Sequence, residues 1–280
     1  MYRIVRKEVF SPRVKMMEVE APRIARRCQP GEFLIVMKGE TSERIPLTIA
    51  DFDRDRGTVT LVFQEVGKST LDLGIMEEGD ALLAVMGPLG HPSDLEGADH
   101  VVCIGGGLGI APVHPIARAY KQRGARVTAI LGARTRDLLY FRDRMRAAAD
   151  ELIICTDDGS EGRQGVVTQP LQELIQSGRP IDRVVAIGPA VMMKFVCATT
   201  REHGIPTVVS LNSIMVDGTG MCGGCRVIVG AEAKFCCVDG PEFDGLAVDW
   251  GILLDRQKTY CEQEKCALDA FVESHPGLEW

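Results

Sequence analysis

The sequence lacks the features of a membrane-inserted, secreted or nucleic-acid-binding protein. No apolar run approaches the length of a membrane span, and the opening MYRIVRKEVF has no apolar core of the kind that a signal peptide carries. Basic clusters are scarce: the longest, Arg23 to Arg27, is interrupted by Ile24 and Ala25, and the net charge is -7 with an isoelectric point near 5.4. Because nucleic acids and anionic membranes attract basic surfaces, the sequence predicts neither as a partner and favours a cytoplasmic location.

Internal repeats, low-complexity tracts and the signs of a disulfide framework are also missing. Ten cysteines in 280 residues, without a secretion signal, indicate reduced thiols and metal ligands. At 30.5 kDa, with 45% hydrophobic and 25% charged residues, the chain is long enough for two globular domains and a small third module.

Three regions of different character follow one another along the chain. In residues 1–98, Pro and Gly separate short alternating runs such as TVTLVFQEV, which predicts a small antiparallel barrel or sandwich. In that run Val59, Leu61 and Phe63 fall on one face of a strand. In residues 99–212, five apolar strands alternate with helical stretches such as DLLYFRDRMRAAAD (137–150), which predicts a doubly wound parallel α/β sheet. Residues 213–280 hold a cysteine-rich loop and end in DWGILLDRQKTYCEQEKCALDAFVESH, a predicted helix.

Four cysteines are concentrated in DGTGMCGGCRVIVGAEAKFCC, residues 217–237. The plant-type [2Fe-2S] spacing, laid on the C-x2-C pair of Cys222 and Cys225, places Asp217 where a thiolate is usual and gives D-x4-C-x2-C-x11-C with Cys237. The glycines suit a loop that aims several ligands at one small cluster. A zinc site also uses C-x2-C, but it requires a second such pair or two histidines, and neither is nearby. The third possibility is that these cysteines are buried or incidental and bind no metal. The spacing favours the iron–sulfur cluster among these three.

Two further cysteines lie in the C-terminal stretch. Cys261 and Cys266 are five residues apart and do not share a helix face, so we expect them on the surface or in the core and not among the ligands.

A glycine loop follows the first strand of the second region. GGGLG, residues 105–109, precedes a predicted helix at Ala111, and this geometry turns free N–H groups and the positive helix end toward a phosphate. Ile110 occupies the third position of G-x-G-x-x-G, so a structural tight turn is the alternative. Further loops emerge on the same edge of the sheet, where a dinucleotide could lie. The predicted dinucleotide contacts are Gly106, Gly107, Gly109, Ala111, Pro112, Arg134, Thr135, Asp158, Gly159, Gly188, Pro189 and Met192.

The choice between NAD and NADP stays open at this point. Arg134 and Arg136 follow the second strand of the sheet, where arginines could hold a 2′-phosphate.

Two segments stand out in the first region, RIPLTI (44–49) and QEVGKSTLDL (64–73). In the second, Gly67, Lys68, Ser69 and Thr70 offer amide, hydroxyl and ammonium donors suited to a pyrophosphate. A surface helix with Ser69 or Thr70 as its N-cap is the competing interpretation.

These motifs together resemble a known superfamily. A barrel with an R-x-x-[ST]-like strand and a G-x-[ST]-T turn, followed by GGGLGIAP and GP, resembles the ferredoxin-NADP reductase flavoproteins. MCGGCRV and CVDGPEFDG are similar to the branch that includes the electron-transfer subunit of dihydroorotate dehydrogenase B. RIPLTI, DGTGMCGGCRV and CVDGPEFDG resemble the small (alpha) subunits of NADH-dependent ferredoxin:NADP oxidoreductase, also called sulfide dehydrogenase beta subunits. The resemblance covers nearly the whole chain.

Three positions relate the chain to these patterns. The superfamily has Arg three residues before the Ser/Thr of its flavin motif, whereas Ile45 stands there and Arg44 is one residue further back. The dihydroorotate branch has Cys as first cluster ligand, and Asp217 resembles the ferredoxin:NADP branch instead. The C-x-D-G-P ending selects Cys237 over Cys236 as the last ligand.

The resemblance implies an electron-transfer flavoprotein that uses NAD(H), FAD and a [2Fe-2S] cluster and that needs no side chain as general acid or base. It favours NAD over NADP. The implied flavin contacts are Pro46, Leu47, Thr48, Phe63, Gln64, Val66, Gly67, Lys68, Ser69 and Thr70, and the implied cluster ligands are Asp217, Cys222, Cys225 and Cys237.

The implied partner is a larger flavin and iron–sulfur subunit of the glutamate-synthase small-subunit type, which would handle NADP(H) and ferredoxin, with electron bifurcation left open. The C-terminal helix and the cluster loop are candidates for docking it; packing against the chain's own nucleotide domain is the alternative. Two other functions stay open: the electron-transfer subunit of dihydroorotate dehydrogenase B, and a non-enzymatic interaction module stabilised by zinc.

Overall fold

The computed structural model describes residues 1–277 and contains two seven-stranded sheets and a two-stranded hairpin. The first sheet is antiparallel, in the order β6-β1-β2-β5-β4-β3-β7. Its strands are β1 (Tyr2–Ser11), β2 (Val14–Glu20), β3 (Phe33–Met37), β4 (Ile45–Asp53), β5 (Thr58–Gln64), β6 (Ala81–Leu82) and β7 (Ala84–Leu89). Only Leu83 separates the two edge strands in sequence, so the sheet curls into a nearly closed barrel.

The barrel interior confirms the predicted alternation in β5. Val59, Leu61 and Phe63 are buried in the barrel core, whereas Val62 on the opposite face packs against the second sheet's helices. Two short helices, α1 (Pro22–Ala25) and α2 (Lys68–Gly74), belong to this part of the chain.

The second sheet has the order β11-β10-β9-β8-β12-β13-β16. The five predicted strands are present and parallel, and the chain order reverses beside β8, where ligands bind in sheets of this kind. The strands are β8 (His100–Gly106), β9 (Arg126–Ala133), β10 (Glu151–Thr156), β11 (Arg163–Gln164), β12 (Arg183–Ile187), β13 (Thr207–Ser210) and β16 (Glu242–Asp244).

Helices cover both faces of this sheet. The helices α3 (Ile110–Gln122) and α4 (Arg142–Ala148) share one hydrophobic core with it, and α5 (Thr168–Gln176) and α6 (Ala190–Arg201) share the other. α3 also packs against β4 of the barrel, which joins the two sheets.

The third region does not form a separate layer. Its strand β16 pairs antiparallel with β13 and extends the second sheet, and its hairpin of β14 (Arg226–Val229) and β15 (Glu232–Phe235) leads into the short helix α7 (Cys236–Asp239). The core under α5 and α6 continues into this region through Cys225, Cys236 and Trp250.

Two predicted helices are shorter than their sequence patterns indicated. In the stretch 137–150 the α-helix begins only at Arg142, after a 3-10 turn at Arg136–Leu138. Phe141 adopts a left-handed backbone (φ 61°), and Tyr140 turns aside to stack on Phe10 with ring centroids 5.3 Å apart. The predicted C-terminal helix is two helices, α8 (Trp250–Arg256) and α9 (Cys261–Ser274). The hydroxyl of Thr259 donates to the carbonyl of Arg256 and closes α8 there.

The C-terminal helices pack within the chain. α8 lies against α6 and β14, whereas α9 lies beside α2 of the barrel and exposes Cys261 and Cys266. Within residues 1–277, the helices fall short of the combined length and apolarity that a bilayer crossing requires.

Candidate functional site

A cavity of about 780 Å³ lies between the two sheets. It is bounded by β4 and β5 of the barrel, by the glycine loop after β8, by the carboxyl ends of the parallel strands and by the connection 210–215. This volume falls within the range of ligand and cofactor pockets, and the position is the one where α/β sheets bind nucleotides.

Many of the predicted contact residues line this cavity. Those from the barrel are Pro46, Leu47, Thr48 and Gln64. Those from the α/β sheet are Gly106, Gly107, Gly109, Pro112, Arg134, Gly188, Pro189 and Met192.

The other predicted contacts lie outside its wall. Phe63 and Ala111 are buried in hydrophobic cores. The remaining ones, outside the lining set, are Val66, Gly67, Lys68, Ser69, Thr70, Thr135, Asp158 and Gly159.

The turn before α2 takes the form of a helix start. Gly67 is the N-cap of α2, so the competing interpretation of a surface helix placed the cap two or three positions too late, at Ser69 or Thr70. The hydroxyl oxygen of Thr70 accepts the amide protons of Val66 (3.0 Å) and Gly67 (3.2 Å), and the Ser69 hydroxyl donates to Glu43.

Each glycine of the loop after β8 has its own role. Gly107 has a left-handed backbone (φ 53°), and the space where a side chain would begin is open, so a ligand can approach the main chain. A Cβ atom on Gly109 would lie 2.0 Å from the carbonyl oxygen of Ile187 in β12. The loop therefore combines a close approach to β12 with an open main chain at Gly107, and its role in binding a phosphate stays a prediction.

Part of the cavity wall was not predicted from the sequence. Tyr140 lines it and its hydroxyl donates to the carbonyl of Gly107 at 2.7 Å. The rule that ligands bind at strand carboxyl ends could have identified the segment after β13, which contributes Ser210 to Ser213 and Met215. The other missed residues are Val14, Phe33, Val62, Leu108, Gly132, Ala133, Leu138, Asp157, Gly165, Val166, Val167, Ile187 and Pro241.

The cysteine loop begins directly beside the cavity, two residues after Met215. Cys225 and Cys237 are buried with their sulfur atoms 3.2 Å apart, and the amide of Cys237 donates to the sulfur of Cys225 at 3.4 Å. Cys222 is exposed and accepts a hydrogen bond from the amide of Gly224. Cys236 and Cys237 are both buried in the core. Cys237 contacts Cys225 through its sulfur, whereas the backbone amide of Cys236 donates to the carbonyl of Cys225 at 3.2 Å.

Burial dominates the chemistry of these thiols. It raises the pKa of Cys236 to about 12 and that of Cys237 to about 12, where hydrogen bonding with Cys225 adds to the effect. Cysteine binds metals as thiolate, so binding a metal here would release the thiol protons that burial retains.

Asp217 is the fourth predicted ligand and lies on the rim of the loop. Its Oδ1 accepts a hydrogen bond from Arg44 at 2.8 Å, and its Oδ2 accepts hydrogen bonds from the amide and hydroxyl of Thr219. The Thr219 hydroxyl and amide, together with the Arg44 guanidinium, hold the pKa of Asp217 below its usual range.

The predicted ligands are of the chemical kind that iron–sulfur clusters use. Within residues 1–277, no three His, Cys, Asp or Glu side chains converge on one metal position. A two-iron cluster divides its four ligands between two metal atoms, and soft thiolates are the ligands that iron–sulfur centres use. The assignment of Asp217, Cys222, Cys225 and Cys237 as ligands stays a prediction.

Several contacts hold the loop in place. Arg256 of α8 donates to the carbonyl of Gly224 at 2.9 Å, and Gln257 donates to Asn212, which lines the cavity. Gly218 (φ 81°) lies so close to Ile35 of β3 that a Cβ atom there would be 2.8 Å from Cγ1. The cavity and the cysteine loop are therefore neighbours on one continuous segment of chain.

A charged cluster joins β4 of the barrel to α3 and α4. Asp51 forms ion pairs with Arg118 (2.7 Å) and Arg144 (3.6 Å), and its Oδ2 lies 4.0 Å from Nδ1 of His114. Burial lowers the pKa of His114 to about 4, against the opposing effect of Asp51. Within the part of the chain that the structure describes, His114 Nδ1 has no hydrogen-bond partner.

A second titratable group lies where the barrel meets β16. Glu242 accepts a hydrogen bond from the Ser93 hydroxyl at 2.7 Å, and burial raises its pKa to about 7.

Comparisons with known proteins agree with this arrangement. Residues 103–198 match the oxidoreductase NAD-binding domain, and residues 212–249 match the iron–sulfur cluster binding domain of dihydroorotate dehydrogenase B. A homologue of the dihydroorotate dehydrogenase B (NAD(+)) electron transfer subunit from Thermotoga maritima is 46% identical over 97% of this chain and 95% of its own length. The chain belongs to this family of electron-transfer subunits.

Solved structures give the same result. The structure of an NADH-dependent reduced ferredoxin-NADP oxidoreductase is 45% identical, with a TM-score of 0.92 over 97% of this chain and 98% of that one. A ferredoxin NADP+ reductase from Neisseria gonorrhoeae, solved with FAD and NADP, is 18% identical with a TM-score of 0.60 over 72% of this chain and 90% of that one; it shares the fold.

The family resemblance, the barrel-plus-α/β fold, the oxidoreductase class and the cofactor classes predicted from the sequence are thereby confirmed. An electron-transfer subunit implies a larger partner subunit. The matches to NAD-binding and iron–sulfur domains favour this class over a zinc-stabilised interaction module.

Proposed function

We propose that this chain is the NAD(H)-binding subunit of a two-subunit oxidoreductase, and that it moves electrons between NADH, a bound FAD and a [2Fe-2S] cluster and on to its partner. The observation that carries the proposal is the adjacency of two sites: the cavity wall runs through Asn212, Ser213 and Met215 directly into Asp217.

The two walls of the cavity differ in chemistry, which suits two different ligands. The barrel wall offers Pro46, Leu47 and Thr48 from β4, which suits the flat face of a flavin. The opposite wall offers the glycine loop, whose amides and helix end suit a dinucleotide phosphate. A bound flavin would supply the conversion between a two-electron hydride donor and a one-electron acceptor.

The chain's own residues orient and support these groups. Tyr140 holds the glycine loop through the carbonyl of Gly107, and Arg134 brings a cation to the nucleotide side of the cavity. Hydroxyl groups of Thr48, Tyr140, Ser210 and Ser213 line the cavity, and we assign the making and breaking of bonds to the cofactors.

The proposed partner is a larger flavin and iron–sulfur subunit of the glutamate-synthase small-subunit type, through which NADP(H) and ferredoxin would be used. The support is the similarity to the ferredoxin-NADP oxidoreductase structure and the aspartate at position 217. The work on that structure concerns flavin-based electron bifurcation, and we extend that activity to the complex that contains this chain.

A second candidate is the electron-transfer subunit of dihydroorotate dehydrogenase B. The names of the curated relatives favour it, among them a subunit from Geobacillus thermodenitrificans that is 31% identical over 86% of this chain and 94% of its own length. The partner that co-purifies with the chain distinguishes the two candidates.

The test is an anaerobic purification of a tagged copy from its native source. We expect about one FAD and two irons per chain, bleaching of the flavin absorbance by NADH, and a co-purifying subunit that reduces NADP+. A dihydroorotate-oxidising partner would select the second candidate, and a colourless protein without flavin or iron would overturn both.

A further inference from the structure

Arg44 connects the cavity side of the barrel to the cysteine loop. It directly precedes β4, whose residues Pro46 to Thr48 line the cavity, yet Arg44 is not among the described residues of the cavity wall. Its guanidinium instead donates to Oδ1 of Asp217, 173 positions along the chain, at 2.8 Å. The arginine that stands one residue away from the superfamily's flavin position is therefore used on the cluster side.

Hydrogen bonds to both carboxylate oxygens restrict the orientation of the Asp217 side chain. Thr219 binds Oδ2 of Asp217 through its amide and its hydroxyl, while Arg44 binds Oδ1. The next residue, Gly218, packs against Ile35 of β3. The first predicted ligand is thus attached to two neighbouring barrel strands, and its orientation depends on the barrel as well as on its own loop.

The simpler interpretation is that Arg44 and Asp217 form an ordinary surface ion pair. The measurement that distinguishes this from a role at the cluster depends on how much such a pair contributes to stability. The side chains of Arg44 and Asp217 are 46% and 22% exposed. Pairs with such exposure contribute little to the free energy of unfolding. A stability measurement therefore cannot reveal a role, whereas the redox potential of the neighbouring cluster can.

We propose that Arg44 is a positioning residue for the iron–sulfur cluster: it holds the Asp217 carboxylate in the orientation that binds iron, and its charge favours the reduced cluster. The inference rests on the proposed function. One-electron reduction adds one negative charge to the cluster without breaking a bond, and a nearby cation stabilises that charge. The guanidinium should therefore raise the midpoint potential above the value that the same ligands would give without it.

The experiment compares Arg44→Gln and Arg44→Lys with Arg179→Gln in the anaerobic holoenzyme. Arg179 is a matched control because its side chain is 48% exposed and pairs with Glu151 at 3.0 Å. It lies in the connection before β12, at the opposite end of the strand from the cavity. Iron and FAD content, the reduced-state paramagnetic signal and the midpoint potential of the cluster are measured for each variant.

We expect Arg44→Gln to shift the midpoint potential to a more negative value and to alter the paramagnetic signal, with Arg44→Lys recovering part of the potential and Arg179→Gln resembling the native protein. Faster loss of iron to a chelator in Arg44→Gln, with FAD retained and Arg44→Lys recovering, also supports the proposal. A potential equal to that of Arg179→Gln at full iron content overturns it. Absence of iron from the native protein refutes the proposed function instead.

Repeating the Arg44 substitution in Asp217→Cys distinguishes two effects of Arg44: holding the Asp217 carboxylate, and acting on the cluster through its charge alone. If Arg44 acts through the carboxylate, Arg44→Gln changes the potential less in Asp217→Cys than in the native protein. An equal change in both backgrounds overturns the positioning role, and an unchanged potential in Asp217→Cys alone removes Asp217 from the ligand set.

Discussion

The charged cluster between the barrel and α3 makes a quantitative prediction about acid stability. His114 is buried beside Asp51, and burial lowers its pKa to about 4 from 6.5. The unfolded chain binds a proton at this residue below pH 6.5, whereas the folded protein does so only near pH 4. The contribution of a neutral His114 to stability is therefore complete above pH 6.5 and is lost as the pH falls.

The magnitude follows from the two pKa values. Between pH 6.5 and 4 the free energy of unfolding should fall by about 1.4 kcal/mol per pH unit, or about 3 kcal/mol in all. His114→Gln replaces the imidazole with a neutral group that does not titrate, so the variant should lack this slope whatever its stability at pH 7.5.

The assay is chemical denaturation at pH 7.5, 6.5 and 5.5 for the native protein, His114→Gln and the exposed control His203→Gln. Glu242, whose pKa is raised to about 7, acts in the opposite sense: its burial makes the folded state less stable as the pH rises from 4.5 to 7. Its contribution is present in all three proteins and cancels in their differences. Equal pH slopes in native protein and His114→Gln would refute the reasoning.

Three further predictions concern the cavity and the loop. Arg134→Ala should raise the KM for NADH about tenfold with kcat little changed, because one charge-assisted contact is lost; steady-state kinetics would contradict this by an unchanged KM. Gly109→Ala should abolish nucleotide binding and lower the melting temperature, since its Cβ would lie 2.0 Å from the carbonyl oxygen of Ile187; normal binding in calorimetry would exclude the close approach. Arg256→Ala should speed iron loss to a chelator because the carbonyl of Gly224 loses its donor, and an unchanged rate would show that α8 does not hold the loop.

Strong local periodicity made most of the fold predictable. The five parallel strands are continuous apolar runs. In β5, Val59, Leu61 and Phe63 could be placed on one face in advance, and the structure buries that face in the barrel core. The helix predicted at 137–150 is shorter than its pattern for a tertiary reason: Tyr140 and Phe141 join an aromatic cluster with Phe10, and local propensity contains no information about that partner.

The site was predictable where ligands bind at the carboxyl ends of parallel strands and where ligand residues have a fixed spacing in sequence. The glycine loop and the cysteine ligand candidates are contiguous motifs, so they could be found without a fold. The ion pair of Arg44 with Asp217 joins residues far apart in sequence, and only the packing of Gly218 on the barrel brings them together. Long-range pairings of this kind are outside the reach of a periodicity argument.

The pairing of β16 with β13 has a consequence for how this architecture can change. A chain truncated before Glu242 would lose more than its redox loop: it would uncover the hydrogen-bonding edge of β13, which is a template for aggregation. The segment with the predicted cluster ligands therefore also completes the second sheet. A protein that evolved without this segment would need another element to cover the edge of β13.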